Sequence, residues 1–391
     1  MKVCILLLAL FAAVYAQDVP PFTDKECIKN AYPPTKDRDM QTFVLNLDLA
    51  PEDRWTPLVK KNAPQMQNLL AKFKSFVANI VINQTRFFEI VDDLLGPLSD
   101  TFPEPYRSEL RGIAKAANMN LGDIVLYNIF YEINPFCTSI VAQDKTGKLY
   151  AARNMDYGEF MGWTPSDQTW TMTENLKSTL TNVEYQQNGK TVAKGVHFAG
   201  YIGVITGIKQ NVMTIAMNAR SGDTLQGYLQ ILEYVLGARD RMFTGFFNRD
   251  VMMNSTSFDM AKKHIMNDKI LSNAYFILGG SKSGEGAIIT RSRDKLENVR
   301  MLNPANGTWF LAQTNYDSYQ EEPPFFDNRL KPANKCLTEM TQAKLGPEGL
   351  FNVLQTKPVL NLATAYTALM QVNEGSLEAY IGRCPQPCYP F

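Results

Sequence analysis

Histidine is nearly absent from this 391-residue chain: His197 and His264 are the only two, and neither stands in a recognisable nucleophile–base pattern. A Cys-His or Ser-His-Asp hydrolase is therefore hard to assemble from it. Nor is there an excess of either charge, with 39 basic and 39 acidic residues, so nothing points to a nucleic-acid partner. After the N-terminal segment no stretch approaches the ~18 uninterrupted apolar residues of a membrane span. No internal repeat or low-complexity tract stands out. Cysteine is scarce as well, with six in all.

The N-terminal segment reads as a signal peptide over residues 1–16, with Lys2 as the charged start, an apolar run through Leu10 and small residues ending at Ala16. The mature protein is then expected in the secretory pathway or beyond it. Three sequons, at Asn83, Asn254 and Asn306, fit that compartment as glycosylation sites. Near pH ~5 the carboxylates begin to protonate while Lys and Arg do not, which would favour an anionic lipid membrane surface. Removing Cys4 with the leader leaves Cys27, Cys137, Cys336, Cys384 and Cys388. Five in an oxidising compartment means two disulfides and one free thiol. Cys384-Pro-Gln-Pro-Cys388 is a local loop whose prolines reduce the entropy lost on closure. The same pair could be half of a metal site, but no second ligand pair completes one, and no metal or cofactor is expected. Composition and spacing leave Cys27, Cys137 and Cys336 undecided.

From about residue 50 to 132 the apolar spacing is helical: Leu69, Leu70, Phe73, Phe76, Val77 and Ile80 form one stripe, Phe87, Phe88, Val91, Leu94 and Leu95 another, and a third helix starts near Pro105. After Phe136 strands are expected at 137–144, 149–153, 169–173, 192–198, 201–209, 212–217, 275–278, 286–291, 298–302 and 309–314. Helices are expected at 225–236 and 258–267, and from about Ala333 to the end. This pattern implies an α+β fold of two stacked, mainly antiparallel sheets covered by helices, with a boundary at Phe136/Cys137.

That boundary carries the chemistry. Asp144-Lys-Thr-Gly147 makes a hairpin turn, so the strand ending in Arg153 returns antiparallel and brings its guanidinium back towards Cys137 at a sheet edge. A nearby cation lowers a thiol pKa. A cysteine without histidine needs another base, and a cut before Cys137 would supply one, its own α-amino group. Asp156 would accept hydrogen bonds from that amine and from Arg153. The alternative is a disulfide cysteine beside an ordinary Arg153–Asp156 salt bridge.

The runs Cys137-Thr-Ser-Ile-Val, Arg153-Asn-Met-Asp156-Tyr-Gly, Phe198-Ala-Gly-Tyr, Tyr275-Phe-Ile-Leu-Gly-Gly, Gly284-Glu-Gly, Gln313-Thr-Asn315-Tyr-Asp and Thr356-Lys-Pro-Val-Leu-Asn decide between these. With them the chain resembles the cysteine N-terminal-nucleophile amidases, the family of acid ceramidase, N-acylethanolamine acid amidase and the bile salt hydrolases. The resemblance covers essentially the whole mature chain. It implies a precursor cut before Cys137 into a helical α-subunit (17–136) and a catalytic β-subunit (137–391) with an αββα sandwich, joined as an α/β heterodimer. It further implies Cys137 as nucleophile, Arg153 and Asp156 as positioning groups, Asn315 as an oxyanion-hole donor and Arg329 as a second site arginine. By the same resemblance Cys27 bridges Cys336, Cys384 bridges Cys388, and no cofactor is used. Relatives carry an acidic residue where this chain has Ala219, so no acidic role transfers there. His197 and His264 gain no role and are read as packing residues.

Cys-Pro-x-Pro-Cys and Met155-Asp-Tyr-Gly158 resemble the ceramidase branch, which implies ceramide and related fatty amides as substrates, a lysosomal or secreted location and a saposin-type activator. N-acylethanolamine is the alternative substrate. An inactive secreted lipid-binding protein is the rival of another class, separated by whether a mature chain begins at Cys137.

Overall fold

The computed structural model describes residues 24, 26–80, 95–129, 136–157, 162–164, 166, 168–220, 233–234, 237, 239–319 and 327–388. The leader, Asn83, the second apolar stripe except Leu95 and most of the 225–236 segment lie outside them.

The N-terminal part contributes β1 (Thr42–Asn46) and then the helices Thr56–Ile80, Tyr106–Ala117 and Leu121–Ile129. Next come β2 (Phe136–Gln143) and β3 (Leu149–Asp156), a small hairpin of β4 (Trp163–Thr164) and β5 (Thr169–Trp170), and a helix at Thr171–Lys177. The strands expected at 169–173 and 201–209 are thus shorter, the first giving way to that helix and the second reduced to 206–209. The strands β6 (Leu180–Gln187), β7 (Lys190–Phe198), β8 (Thr206–Lys209) and β9 (Met213–Ala219) precede helices Thr244–Asn254 and Phe258–Asn267. Ser257 caps the latter, its Oγ accepting from Met260 N at 3.2 Å. The chain continues through β10 (Ala274–Gly279), β11 (Gly286–Arg291), β12 (Leu296–Met301) and β13 (Phe310–Gln313) into helices Leu330–Met340 and Pro347–Gln355. It does not stay helical: β14 (Thr364–Gln371) and β15 (Ser376–Ile381) follow. All eight residues of β14 are buried, because it lies inside a sheet, so the alternation that marks a half-exposed strand is missing.

One sheet has eight strands in the order β1-β6-β7-β8-β9-β10-β11-β12, the other five in the order β13-β2-β3-β14-β15. All pairings in both are antiparallel except β1 with β6. Val141 and Leu149 from the smaller sheet pack against Ala216, Tyr275, Ile277 and Ile288 of the larger. Alternate residues Ile140, Ala142 and Ala152 face the other way, against Ala333, Leu337, Leu350 and Leu354 of the two C-terminal helices. Phe246, Phe247, Val251, Ala261 and Ile265 cover the far face of the larger sheet, completing an αββα stack.

Candidate active site

Hairpin chemistry sets the site. Asp144 Oδ1 accepts from the backbone of Thr146 (2.8 Å) and Lys148 (3.0 Å), and Gly147 takes φ +91°, a conformation costly for other residues. The resulting register pairs Cys137 with Met155 and Ser139 with Arg153. Cys137, Ser139 and Arg153 then all face the space between the sheets. On its other side β2 pairs with β13 only as far as Ser139, opposite Gln313. Two residues beyond each, Cys137 and Asn315 meet, and Cys137 N donates to Asn315 Oδ1 at 2.7 Å. The thiol is wholly buried within the uncut chain rather than at an exposed sheet edge.

Arg153 Nη2 donates to Cys137 Sγ, while Nη1 donates to Ile205 O (3.0 Å), Thr206 Oγ1 (3.1 Å) and Met217 O (3.1 Å). Thr206 Oγ1 also shares a hydrogen bond with the Tyr366 hydroxyl at 2.7 Å. The start of β8 and the strand β9 therefore hold this guanidinium directly, and β14 supports Thr206 through Tyr366. The ion pair at Asp156 is with Arg329 (2.8 Å), where the sequence reading had paired it with Arg153. Asp156 also accepts from Thr364 Oγ1 (2.6 Å) and Asn361 Nδ2 (3.3 Å). Arg329 Nη2 reaches Asn315 Oδ1 (2.9 Å), and its Nε reaches Asp327 Oδ1 (3.0 Å). Asp327 Oδ2 in turn accepts from Asn315 N at 3.0 Å.

Cys137, Arg153, Asp156, Asn315 and Arg329 are thus brought together, each no more than 1% exposed. Burial pushes the Cys137 thiol up, against the pull of Arg153 and Arg329, so in the uncut chain the thiolate expected from Arg153 alone does not prevail. Burial also raises the Asp156 carboxyl, opposed by Arg329 and the hydrogen bonds of Thr364 and Asn361.

Asn315 Nδ2 donates to Ala219 O at 2.7 Å. The Ala219 position thus enters the site through its backbone. Directly after it, Arg220 forms a two-pronged ion pair with Asp317, two residues past Asn315, and Tyr275 OH donates to Asp317 Oδ1 at 2.7 Å. This clamp ties together the two backbone segments that hold the Asn315 side chain. Asp327, Asn361, Thr364, Arg220, Asp317 and Tyr275 were not singled out from sequence. Three of them stand in runs that were, Tyr275, Asp317 and Asn361, but nothing in a run says which member turns inward.

His197 is buried, its Nε2 sharing a hydrogen bond with Tyr185 OH (2.9 Å), whereas His264 is half-buried and paired with Asp268 (2.7 Å). Cys27 is bonded to Cys336, Cys384 to Cys388, and the thiol left over among the described residues is Cys137. Asn254 and Asn306 are exposed.

Residues 137–331 match the family model of linear amide C–N hydrolases, choloylglycine hydrolase family, and residues 38–102 match that of the beta subunit of N-acylethanolamine-hydrolyzing acid amidase. The human acid ceramidase is 42% identical over 391 residues, covering 98% of each chain, and the mouse acid ceramidase is 41% identical over 385 residues, covering 98% of this chain and 97% of its own. Among solved structures, the Caenorhabditis elegans ortholog of N-acylethanolamine-hydrolyzing acid amidase is 29% identical with a TM-score of 0.53, over 63% of this chain and 99% of that one.

Proposed function

Since the chain belongs to the acid ceramidase family of linear amide hydrolases, we propose that it cleaves the N-acyl bond of ceramide to sphingosine and a fatty acid. The observation that carries this reading is the buried Cys137, with Arg153 on its sulfur and Asn315 on its nitrogen, at the residue where the hydrolase family match begins.

The chain first cuts itself. Cys137 Sγ attacks the Phe136 carbonyl carbon, the C–N bond breaks as the nitrogen takes up the thiol proton, and water hydrolyses the resulting thioester. Cys137 then begins a β-subunit, 137–391, and residues 17–136 form the α-subunit once a leader of residues 1–16 is gone. The new α-amine, with an ordinary pKa of about 7.7–8.0, takes the thiol proton. Arg153 stabilises the thiolate, offsetting the burial that raises the thiol pKa in the uncut chain.

With ceramide bound, the thiolate attacks the amide carbonyl and the α-ammonium protonates the departing sphingosine amine. Water then releases the fatty acid from the Cys137 thioester. Asn315 Nδ2, anchored on Ala219 O, is the group we assign as donor to the tetrahedral oxyanion, whose charge appears only in the transition state. Asn315 Oδ1 is placed to keep hold of the amine nitrogen. Asp156 keeps Arg329 in place, and Arg329 orients Asn315.

An anionic lysosomal membrane is the surface from which such a substrate would be drawn, assisted by a saposin-type activator. Hydrolysis by purified protein of a ceramide beside an N-acylethanolamine, from acidic to neutral pH, tests the substrate assignment. Faster turnover of the ceramide is expected, and preference for the N-acylethanolamine would move the chain to the other branch.

A further inference from the structure

The N-terminal part and the C-terminal part share a buried charge. Glu109, on the helix Tyr106–Ala117, has no exposed surface. Its Oε1 accepts from Arg249 Nη2 (2.8 Å) and Arg54 Nη1 (3.3 Å), and its Oε2 from Trp55 Nε1 (2.7 Å) and Arg249 Nη1. Arg249 comes from the helix Thr244–Asn254 and also donates to Ile202 O at 3.1 Å. Three aromatic rings stand around its guanidinium, Tyr106 at 5.3 Å, Tyr185 at 5.5 Å and Trp55 at 6.0 Å. Tyr106 stacks on Phe246 at 4.6 Å, and its hydroxyl reaches Phe246 O (3.0 Å) and Asp250. Glu109, Trp55, Arg54 and Tyr106 lie before residue 137; Arg249, Tyr185, Phe246 and Asp250 lie after it.

The mechanism uses none of these groups. Their physical consequence concerns assembly. Pulling the two parts away from each other would strip a buried carboxylate from a buried guanidinium, and removing one partner of such a pair costs far more than the pair itself contributes. The same separation would unpair β1 from β6 over five residues, Thr42–Asn46 against Asn182–Gln186. It would also take Arg38 from Ile381 O (2.8 Å) and Gln355 Oε1 (3.0 Å).

We infer that the Glu109–Arg249 pair is a non-covalent lock that keeps residues before Cys137 bound to those after it once the chain is cut, so that the Cys27–Cys336 disulfide is not needed for association. The N-terminal part is then a permanent subunit that supplies a strand and half of a buried ion pair, rather than a detachable propeptide. The inference rests on the proposed cut before Cys137.

The test starts from Cys27→Ser/Cys336→Ser protein, run on a denaturing gel to establish that it is two chains and then on native size exclusion. One co-eluting species is expected. Adding Glu109→Gln should abolish co-elution, and Trp55→Phe, which removes one donor without baring a charge, should weaken it on dilution. Separate elution of the two chains before either change, or co-elution that survives both, overturns the lock. A single chain on the denaturing gel would instead count against the cut. The lock is then read in the uncut Cys137→Ala chain, where Glu109→Gln should expose residues before 137 to limited proteolysis while the remainder stays protected. That variant needs no maturation, and protection equal to that of the Glu109 form overturns the lock there too. Should Glu109→Gln fail to accumulate, Trp55→Phe supplies both readouts.

Discussion

Asn315 Oδ1 accepts the backbone N–H of Cys137 at 2.7 Å, which places the amide group of one residue on the nitrogen that a cut before the other would turn into a free amine. The same oxygen accepts from Arg329 Nη2, so the position of that nitrogen is tied through Arg329 to Asp156 and Asp327. Asn315→Ala should lower turnover by about 10²–10³-fold, the usual loss on removing an oxyanion donor. It should also slow cutting of the precursor. Kinetics beside a denaturing gel check both, and an unchanged kcat would remove Asn315 from the mechanism.

Cys137→Ala should leave a single uncut precursor. Cys137→Ser can still cut slowly, because a hydroxyl also attacks a carbonyl, but should hydrolyse substrate poorly since it is far less ionised. Normal processing of the alanine variant in a cell-free system would overturn self-cleavage.

At Arg153 and Asp156 chemistry can be separated from packing. Arg153→Lys keeps the charge but loses the planar fork that reaches Cys137 Sγ on one arm and Ile205, Thr206 and Met217 on the other, so activity should fall while the fold persists. Asp156→Asn removes the charge facing Arg329 with little change of volume. Subunit cutting, melting temperature and labelling by a reactive acyl probe should be read together. Loss of activity only in proportion to loss of melting temperature would reduce both residues to packing.

The Arg220–Asp317 clamp should act on rate rather than affinity. Asp317→Asn weakens the tie between the strand that ends at Ala219 and the segment carrying Asn315, and misplacement of about 1 Å is enough to cost of order 10²-fold in rate. A fall in kcat with KM unchanged is expected, and a rise in KM alone would contradict it.

His197 gives stability a definite pH dependence. Burial pushes its pKa down to about 3 from 6.5, so between these values the folded state binds fewer protons than the unfolded one. Its contribution is present above 6.5 and is lost as pH falls through that window, by about 2 kcal/mol on reaching ~pH 5. Thermal melts of His197→Gln at neutral pH and at ~pH 5 should show a smaller acid-induced drop than wild type. An equal drop in both would contradict the assignment.

The disulfides are read on gels. With Cys27 bonded to Cys336, denatured mature protein should run as one band without reductant and two with it, and replacing either cysteine should give two bands in both conditions.

How much of this was legible depended on sequence distance. Cys137 and Arg153 are joined by one hairpin whose turn residues declare themselves, so their proximity could be read directly. Asp156 was placed near the site, but its partner Arg329 lies 173 residues away and only the fold brings them together. The contribution of Thr364 was hidden with β14, whose Ala-, Leu- and Met-containing sequence has no alternation because both of its faces are buried. Arg220 and Asp317 are ordinary charged residues in sequence, and what sets them apart is their joint grip on the backbone around Asn315. β1 was missed because five residues ahead of a long helix carry little periodic signal, yet it seats the N-terminal part on the larger sheet.

The central claim is that Cys137, freed as a chain terminus, forms a thioester with the acyl group of ceramide. Intact-mass measurement of the protein during turnover of ceramide at acidic pH tests it most directly. A chain of residues 137–391 carrying one fatty-acyl adduct is expected, mapped to Cys137 and lost as free fatty acid appears. Sphingosine released by protein whose chain is uncut, or whose Cys137 never carries the acyl group, would contradict it.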